Sequence, residues 1–367
     1  MIPCLRSHRS HREESTYERL RRRGDMSGEL TVAAVGRAAD ALRPVVRRTP
    51  LERNARLTTA AGVPVWLKRE DLQLCRSYKV RGAYAMISSL TAAERARGVV
   101  CASAGNYGQG VAFTCRQLGI PGRVYLPAGT TRQKRDRIAA LGDDLVRTVV
   151  TGDDFDDANL AALHASERTC ATFVHPFDHP AVVAGQATVA VEVVEQLGSD
   201  VDTVIVPIGG GGLVAGMLTW LKHKLPHVTV VGAEPAGAAS MRAAIDHGGP
   251  TPLRPIDTFV DGAAVSSVGR IGYRIVRDLL DELVSVPEDA VCAEMVDLYQ
   301  TDGIIAEPAG ALASAALRMP LHSRLRGAVV CVLSGGNNDI HRYGEVLERS
   351  DRYTSAGTAR PLLATGG

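Results

Sequence analysis

Two domains built on open, mainly parallel α/β sheets are predicted by three features of the sequence. Short apolar runs rich in β-branched residues alternate with helical stretches along most of the chain. Three of those runs open directly into turns of glycine, serine and asparagine before the next segment. The length, 367 residues of which 45% are hydrophobic, suffices for two domains and a sizeable core.

Composition narrows the function. A formal net charge of +2 with 4% aromatic residues offers no basic, aromatic-interleaved surface for nucleic acid. No apolar run is long enough to span a membrane. The seven cysteines are scattered, odd in number and contain no Cys-x-x-Cys pair, which fits reduced thiols in a cytoplasm. Residues 1–28, with Arg21-Arg22-Arg23 and few core-forming side chains, read as a disordered extension. The arginines are followed by the polar run 24–29, where an export signal needs an apolar segment, and Met26 is an alternative start.

In order, the apolar spacing over 30–42 predicts an amphipathic helix, stopped by Arg43-Pro44. A strand is expected at 63–68 and a helix start at Ser77-Tyr78-Lys79, where Ser77 can serve as the cap. Strand 98–103 leads through Ala104-Gly105-Asn106 into a helix. Strands at 123–127, 145–150 and 172–174 then alternate with helices at 131–141 and 155–168. The second series runs helix 180–198, strand 203–207, helix 212–224, strand 228–232 and, late in the chain, strand 328–333. Beyond about 350 the chain turns polar and glycine-rich and is expected to fray.

Chemistry enters through the lysines. Of 42 basic residues only Lys68, Lys79, Lys134, Lys222 and Lys224 carry an amine able to form a Schiff base, since a guanidinium stays protonated. Lys134 lies in the charged run 131–137 and reads as a solvated helix face; Lys222 and Lys224 read as helix-end decoration. Lys68 ends a strand before a charged turn. Lys79 alone stands at a helix start, with small residues following it.

The run Gly209-Gly210-Gly211-Gly212 sits between a strand and a helix, where backbone N–H groups and the helix dipole suit a phosphate. Two owners of that phosphate fit. Gly210-x-Gly212-x-x-Ala215, with Glu234 ending the next strand, satisfies a relaxed dinucleotide fingerprint and would make the chain an NAD-dependent oxidoreductase. A monophosphate cofactor bound to a lysine would instead need a carboxylate-binding loop and a partner for a pyridine nitrogen. Ser103-Ala104-Gly105-Asn106 and Ser334 stand at strand ends suited to those tasks.

These stretches together resemble the fold-type II pyridoxal-phosphate enzymes, the architecture of tryptophan synthase β, and within them the threonine dehydratases. The resemblance extends from Thr49-Pro50-Leu51 to Arg342-Tyr343-Gly344-Glu345 and includes Ser77-Tyr78-Lys79, Ser103 to Asn106, His175-Pro176-Phe177-Asp178, Ala184-Gly185-Gln186, Glu307-Pro308-Ala309-Gly310 and Ser334-Gly335-Gly336-Asn337. It implies a large cofactor-binding domain over 29–76 and 173–350, a small domain over 77–172 inserted in it, a tail over 351–367, and an active site in the cleft between the two domains. It implies pyridoxal 5'-phosphate in Schiff-base linkage to Lys79, which later moves the Cα proton. Gly209, Gly210, Gly211 and Gly212 would cradle the phosphate, Asn106 the ring oxygen and Ser334 the ring nitrogen, with Glu307 beside them. Ser103, Ala104, Gly105, Asn106 and Tyr107 would bind the substrate. A neutral serine on the ring nitrogen favours β-elimination over transamination. The expected reaction is dehydration and deamination of an L-hydroxy-amino acid, L-threonine or L-serine, in isoleucine biosynthesis; β-replacement and an inactive binding protein of the same fold are the alternatives. A cytoplasmic homodimer or homotetramer is implied as well.

The sequence departs from the family pattern in places. Tyr107 stands where histidine is usual and Ala187 where glycine is usual, and both are expected near the substrate. Ala104 replaces the serine that related racemases use as a base. Their metal site would fall at Glu234 and Ala238, but its second acid is Ser240 here, so no metal is expected. The chain ends at Gly367, without the span of a C-terminal regulatory domain, so insensitivity to isoleucine is expected.

Overall fold

A parallel sheet is covered by helices on both faces, so its strands must be apolar on both sides, and the runs noted above form such strands. The computed structural model describes residues 30–356 apart from 104, 131, 154 and 322–324; the extension 1–28, Ala104 and the end of the tail lie outside the described residues. The first half contains α1 (Val32–Leu42), β1 (Leu51–Arg53), α2 (Ala55–Ala61), β2 (Val65–Arg69), α3 (Lys79–Ser88), α4 (Ala92–Arg97), β3 (Val99–Ala102), α5 (Asn106–Leu118), β4 (Gly122–Leu126), α6 (Arg132–Gly142), β5 (Val146–Val150), α7 (Phe155–Thr169) and β6 (Thr172–Phe173). There follow α8 (Pro180–Leu197), β7 (Val201–Pro207), α9 (Gly212–Lys224), β8 (Thr229–Pro235), α10 (Ser240–His247), α11 (Arg270–Leu279), β9 (Glu282–Val286), α12 (Glu288–Gln300), α13 (Pro308–Ala315), β10 (Ala328–Leu333) and α14 (Tyr343–Ser355).

The strands form two sheets. The larger has the order β1-β2-β10-β7-β8-β9, parallel except for the antiparallel edge strand β1. Along β10, Val329, Cys331 and Leu333 face a core with α12, α13 and α14, while Val330 and Val332 face one with α8 and α9. The smaller sheet, β5-β4-β3-β6, is wholly parallel. Its strand β3 likewise divides, Val99 and Cys101 toward α3 and α5, Val100 and Ala102 toward α7. Strand β6 pairs with β3, so the boundary expected between 172 and 173 cuts through a strand of the small sheet. The tail expected from 351 also needs correction: α14 continues to Ser355, and Tyr353 is buried in the core on the α12 face.

Each sheet reverses its strand order once, and the two reversals position the site. In the larger sheet β10 inserts beside β7; in the smaller, β6 inserts on the far side of β3 from β4. Crevices open at the C-terminal ends of strands at such points. The glycine run leaves β7, Ser334 leaves β10, and Ser103 leaves β3.

Candidate active site

Lys79 is the first residue of α3, and three main-chain contacts fix that helix start to the exit of β10. Ser77 bridges Gly335, the Tyr78 N–H donates to the Ser334 carbonyl at 3.2 Å, and the Gly336 N–H donates to the Arg76 carbonyl at 2.9 Å. Lys79 and Ser334, 255 positions apart in sequence (334 − 79), thus meet at one strand end. The Lys79 Nζ lies 4.8 Å from the centre of the Tyr78 ring and makes no ion pair among the described residues. Ser77 is not the N-cap of the helix: Tyr78 holds that position, and the Ser77 Oγ accepts the Lys79 N–H at 3.2 Å.

A chain of side chains closes the site on the other side. Asn337 Nδ2 donates to Asn106 Oδ1 at 2.8 Å and to the Cys75 carbonyl at 2.8 Å. Asn106 Nδ2 in turn donates to Glu307 Oε1 at 2.5 Å, and the Glu307 N–H donates to the Gly335 carbonyl at 3.1 Å. Burial, with Asp261 nearby, pushes the Glu307 carboxyl up to about 7 despite opposing Lys134, Asn106 and Lys79. The Ser334 hydroxyl is buried and donates to the Ala309 carbonyl at 3.0 Å.

The glycine run cannot carry side chains. A Cβ on Gly210 would stand 2.3 Å from the Phe177 ring, and one on Gly212 2.9 Å from the Phe177 carbonyl. On Gly209 it would stand 2.9 Å from the Ala263 backbone, and Gly211 has φ +89°. Helix α9, which the run opens, has no side-chain cap, so its first N–H groups are left for an anion. These features fit a phosphate-bearing cofactor. The dinucleotide reading loses its acid, because the Glu234 carboxylate accepts the N–H groups of Met241 (2.9 Å) and Arg242 (3.2 Å) at the start of α10. Burial pushes Glu234 up to about 7 there. Ser240, which follows, donates its hydroxyl to the Val265 carbonyl.

The loop leaving β3 is organised by Ser103, whose Oγ accepts the N–H groups of Gly105 (3.3 Å) and Gly108 (2.9 Å). Its own proton and the first-turn N–H groups of Asn106 and Tyr107 are left to meet a carboxylate. The expectation for the Tyr107 side chain is corrected: the ring is 2% exposed within the small-sheet core, and its hydroxyl is buried without a hydrogen-bond partner among the described residues. Helical periodicity turns that position away from the loop, so Tyr107 offers the site its main chain. Ala187 is likewise remote, fully buried where α8 packs on Gly216 of α9.

Sequence reasoning missed two groups. Lys134 is not a solvated face: with a side chain 14% exposed it pairs across the cleft with Asp261, and a Cβ on Gly105 would lie 3.8 Å from its Nζ. The second group is a buried network behind Lys79. Arg81 makes two 2.8 Å bonds to Glu70 and one of 2.7 Å to Glu192, which also takes Lys68 Nζ at 2.5 Å. Burial pushes Glu70 up, but Arg81 outweighs it and holds the carboxyl below its ordinary range; burial pushes the Lys68 amine down. The one available signal was the choice of lysine at 68 and 134 in a chain that otherwise uses arginine.

Fold and site together bring a lysine, a glycine run fit for a phosphate and a buried serine to the junction of two mainly parallel sheets. The chain belongs to the pyridoxal-phosphate dependent enzyme family, whose model matches residues 42–335. It is 51% identical over 323 residues to the biosynthetic L-threonine dehydratase of Mycobacterium tuberculosis, covering 88% of this chain and 75% of that one. To the corresponding protein of Bacillus subtilis it is 44% identical over 322 residues, covering 88% and 76%. Among solved structures, processed threonine deaminase isoform 2 of Solanum lycopersicum superposes with a TM-score of 0.79 at 34% identity, over 89% of this chain and 96% of that one. Maize serine racemase gives 0.81 at 26%, over 89% and 99%.

Proposed function

We propose that the chain is an L-threonine dehydratase, converting L-threonine to 2-oxobutanoate and ammonia and acting on L-serine by the same chemistry. The observation that carries this is the joining of the Lys79 helix start to Ser334 through Tyr78, with Asn337 of the same strand exit bonded to Asn106, in a chain 51% identical to a threonine dehydratase. The water lost from the β-carbon is regained when the C–N bond is hydrolysed, so the products balance without a further reactant. Bound pyridoxal phosphate supplies the electron sink that makes the Cα proton removable. Lys79 would hold the cofactor and its Nζ would take the Cα proton; Gly209 to Gly212 would hold the phosphate, Asn106 and Glu307 would serve the ring, and Ser334 would offer its nitrogen a neutral hydroxyl. Ser103 and the Asn106 and Tyr107 N–H groups orient the carboxylate. The relatives do not favour β-replacement.

Lys79→Ala tests the assignment: ammonia release from L-threonine should vanish, and borohydride should no longer label the peptide containing residue 79. Wild-type ammonia release from that variant would refute it. We further propose a cytoplasmic homodimer or homotetramer, a reading supported by the family resemblance and by free thiols at all six described cysteines. Light scattering on the purified protein measures the assembly.

A further inference from the structure

A cavity of about 410 Å³ lies between the start of α7, the turn 175–177 and the segment 254–267. That is within the roughly 300–1,000 Å³ of small-molecule sites. It adjoins the cofactor cradle: Phe177, which lines it, fills the space beside Gly210, and Ala264, which also lines it, follows the Ala263 that backs Gly209. Its walls are mixed, with Phe155 and Ile256 apolar and Asn159 and Ser266 polar. His175 adds no charge near neutral pH, because burial pushes its imidazole down to about 4 and the Phe177 and Asp178 N–H groups donate to Nδ1.

At the mouth stand two charges of opposite sign, one from each sheet's surroundings: Asp156 on α7 and Arg254, paired with each other. Their side chains are 49% and 69% exposed. Ion pairs this exposed are weakly held and exchange partners readily. The Lys134–Asp261 pair nearby, 14% and 33% exposed, is better sheltered and can keep the two lobes together while the outer pair opens. A free α-amino acid carries one ammonium and one carboxylate, the complement of that outer pair.

We propose that this cavity is a receiving site for the zwitterionic α-amino acid, with its carboxylate on Arg254 and its ammonium on Asp156, from which it passes Phe177 to reach Lys79. The inference rests on the amino-acid lyase reading but makes a separate claim, since turnover could occur without a receiving site. In the holoenzyme, Arg254→Ala and Asp156→Asn should each lower kcat/KM for L-threonine about tenfold, the size expected for one hydrogen bond to a charged group, with the change carried by KM. Holoenzyme reduced with borohydride cannot release Lys79 to the substrate, so calorimetry with L-threonine then reads only binding that needs no exchange at Lys79, and the comparison with Arg254→Ala isolates the receiving site from the Ser103 loop. The reduced wild type should bind L-threonine and reduced Arg254→Ala should bind it about tenfold more weakly. The swapped enzyme, Asp156→Arg with Arg254→Asp, restores the ion pair but inverts the polarity offered to the ligand, and its kcat/KM should stay low. Wild-type kcat/KM in both single variants, full recovery in the swapped enzyme, or no binding to the reduced wild type would each overturn the receiving site while wild-type turnover left the lyase reading standing.

Discussion

Replacing Glu307 with glutamine should make the cofactor-free protein more stable in alkali and leave it unchanged in acid. The carboxyl is 3% exposed and titrates near 7 instead of the ordinary 4.5, so the folded state holds its proton more tightly than the unfolded chain does. The sign follows from proton counts: between 4.5 and 7 the folded state binds the extra proton, so stability falls as pH rises. The favourable contribution is complete below about 4.5 and gone above about 7. At about 1.36 kcal/mol per pH unit, the span from 4.5 to about 7 is worth about 3 kcal/mol. Glutamine keeps the oxygen that accepts the Asn106 amide and removes the ionisation. Urea unfolding of both proteins at pH 4, 6 and 8 measures the effect. The difference, variant minus wild type, should grow by about 3 kcal/mol from pH 4 to pH 8. Glu234, which also titrates near 7, contributes the same slope to both proteins and cancels. A pH-independent difference would show that Glu307 ionises normally and that the burial argument fails.

Three further substitutions probe the packing around the site. Gly210→Ala places a methyl 2.3 Å from the Phe177 ring, so the purified protein should lose most of its bound cofactor, read from absorbance of the lysine-linked chromophore. Arg81→Met leaves Glu70 and Glu192 without their main partner in the interior; urea unfolding should show a loss of about 3–5 kcal/mol. Tyr107→Phe removes a buried hydroxyl that has no partner among the described residues, so stability should rise by about 1 kcal/mol with turnover within twofold of wild type. A large loss of activity in Tyr107→Phe would place the phenol at the substrate after all.

What the sequence made legible was local: Lys79, the glycine run, Ser103 to Asn106 and Ser334 each stand at a junction of strand, turn and helix, and such junctions have a spacing that can be read along the chain. Sequence periodicity also separated the two parallel sheets, though it left β9 and the helices after 240 unassigned, where strands are short and apolar spacing is diluted by charge. What stayed hidden depends on contacts across the fold. Lys134 meets Asp261 over 127 positions, Arg81 meets Glu192 over 111, and Lys68 meets Glu192 over 124. No local pattern announces such a pair, so Lys134 read as a solvated face and Lys68 only as the end of a strand before a charged turn.

The placement of those hidden charges divides the work of the cleft. Behind Lys79, the Arg81 side chain is 1% exposed and Glu70 fully buried, and breaking such a pair strands a charge in the interior. The Gly82 N–H adds a bond to Gln186 at 3.1 Å, and a Cβ on Gly185 would strike the Arg81 carbonyl at 2.5 Å, so α3 is pressed onto α8 with no slack. That end behaves as a fixed pivot and holds the Lys79 main chain in place. At the opposite end the pairs between the lobes become progressively more exposed, from Lys134–Asp261 to Arg254–Asp156. Salt screens exposed pairs far more than buried ones. Raising ionic strength should therefore loosen the mouth and raise KM for L-threonine, while kcat, which the role proposed for Lys79 ties to the buried end, changes little; steady-state kinetics across a salt series decides this. A parallel fall in kcat would mean that the pivot too depends on screened charge, against the burial of Arg81 and Glu70.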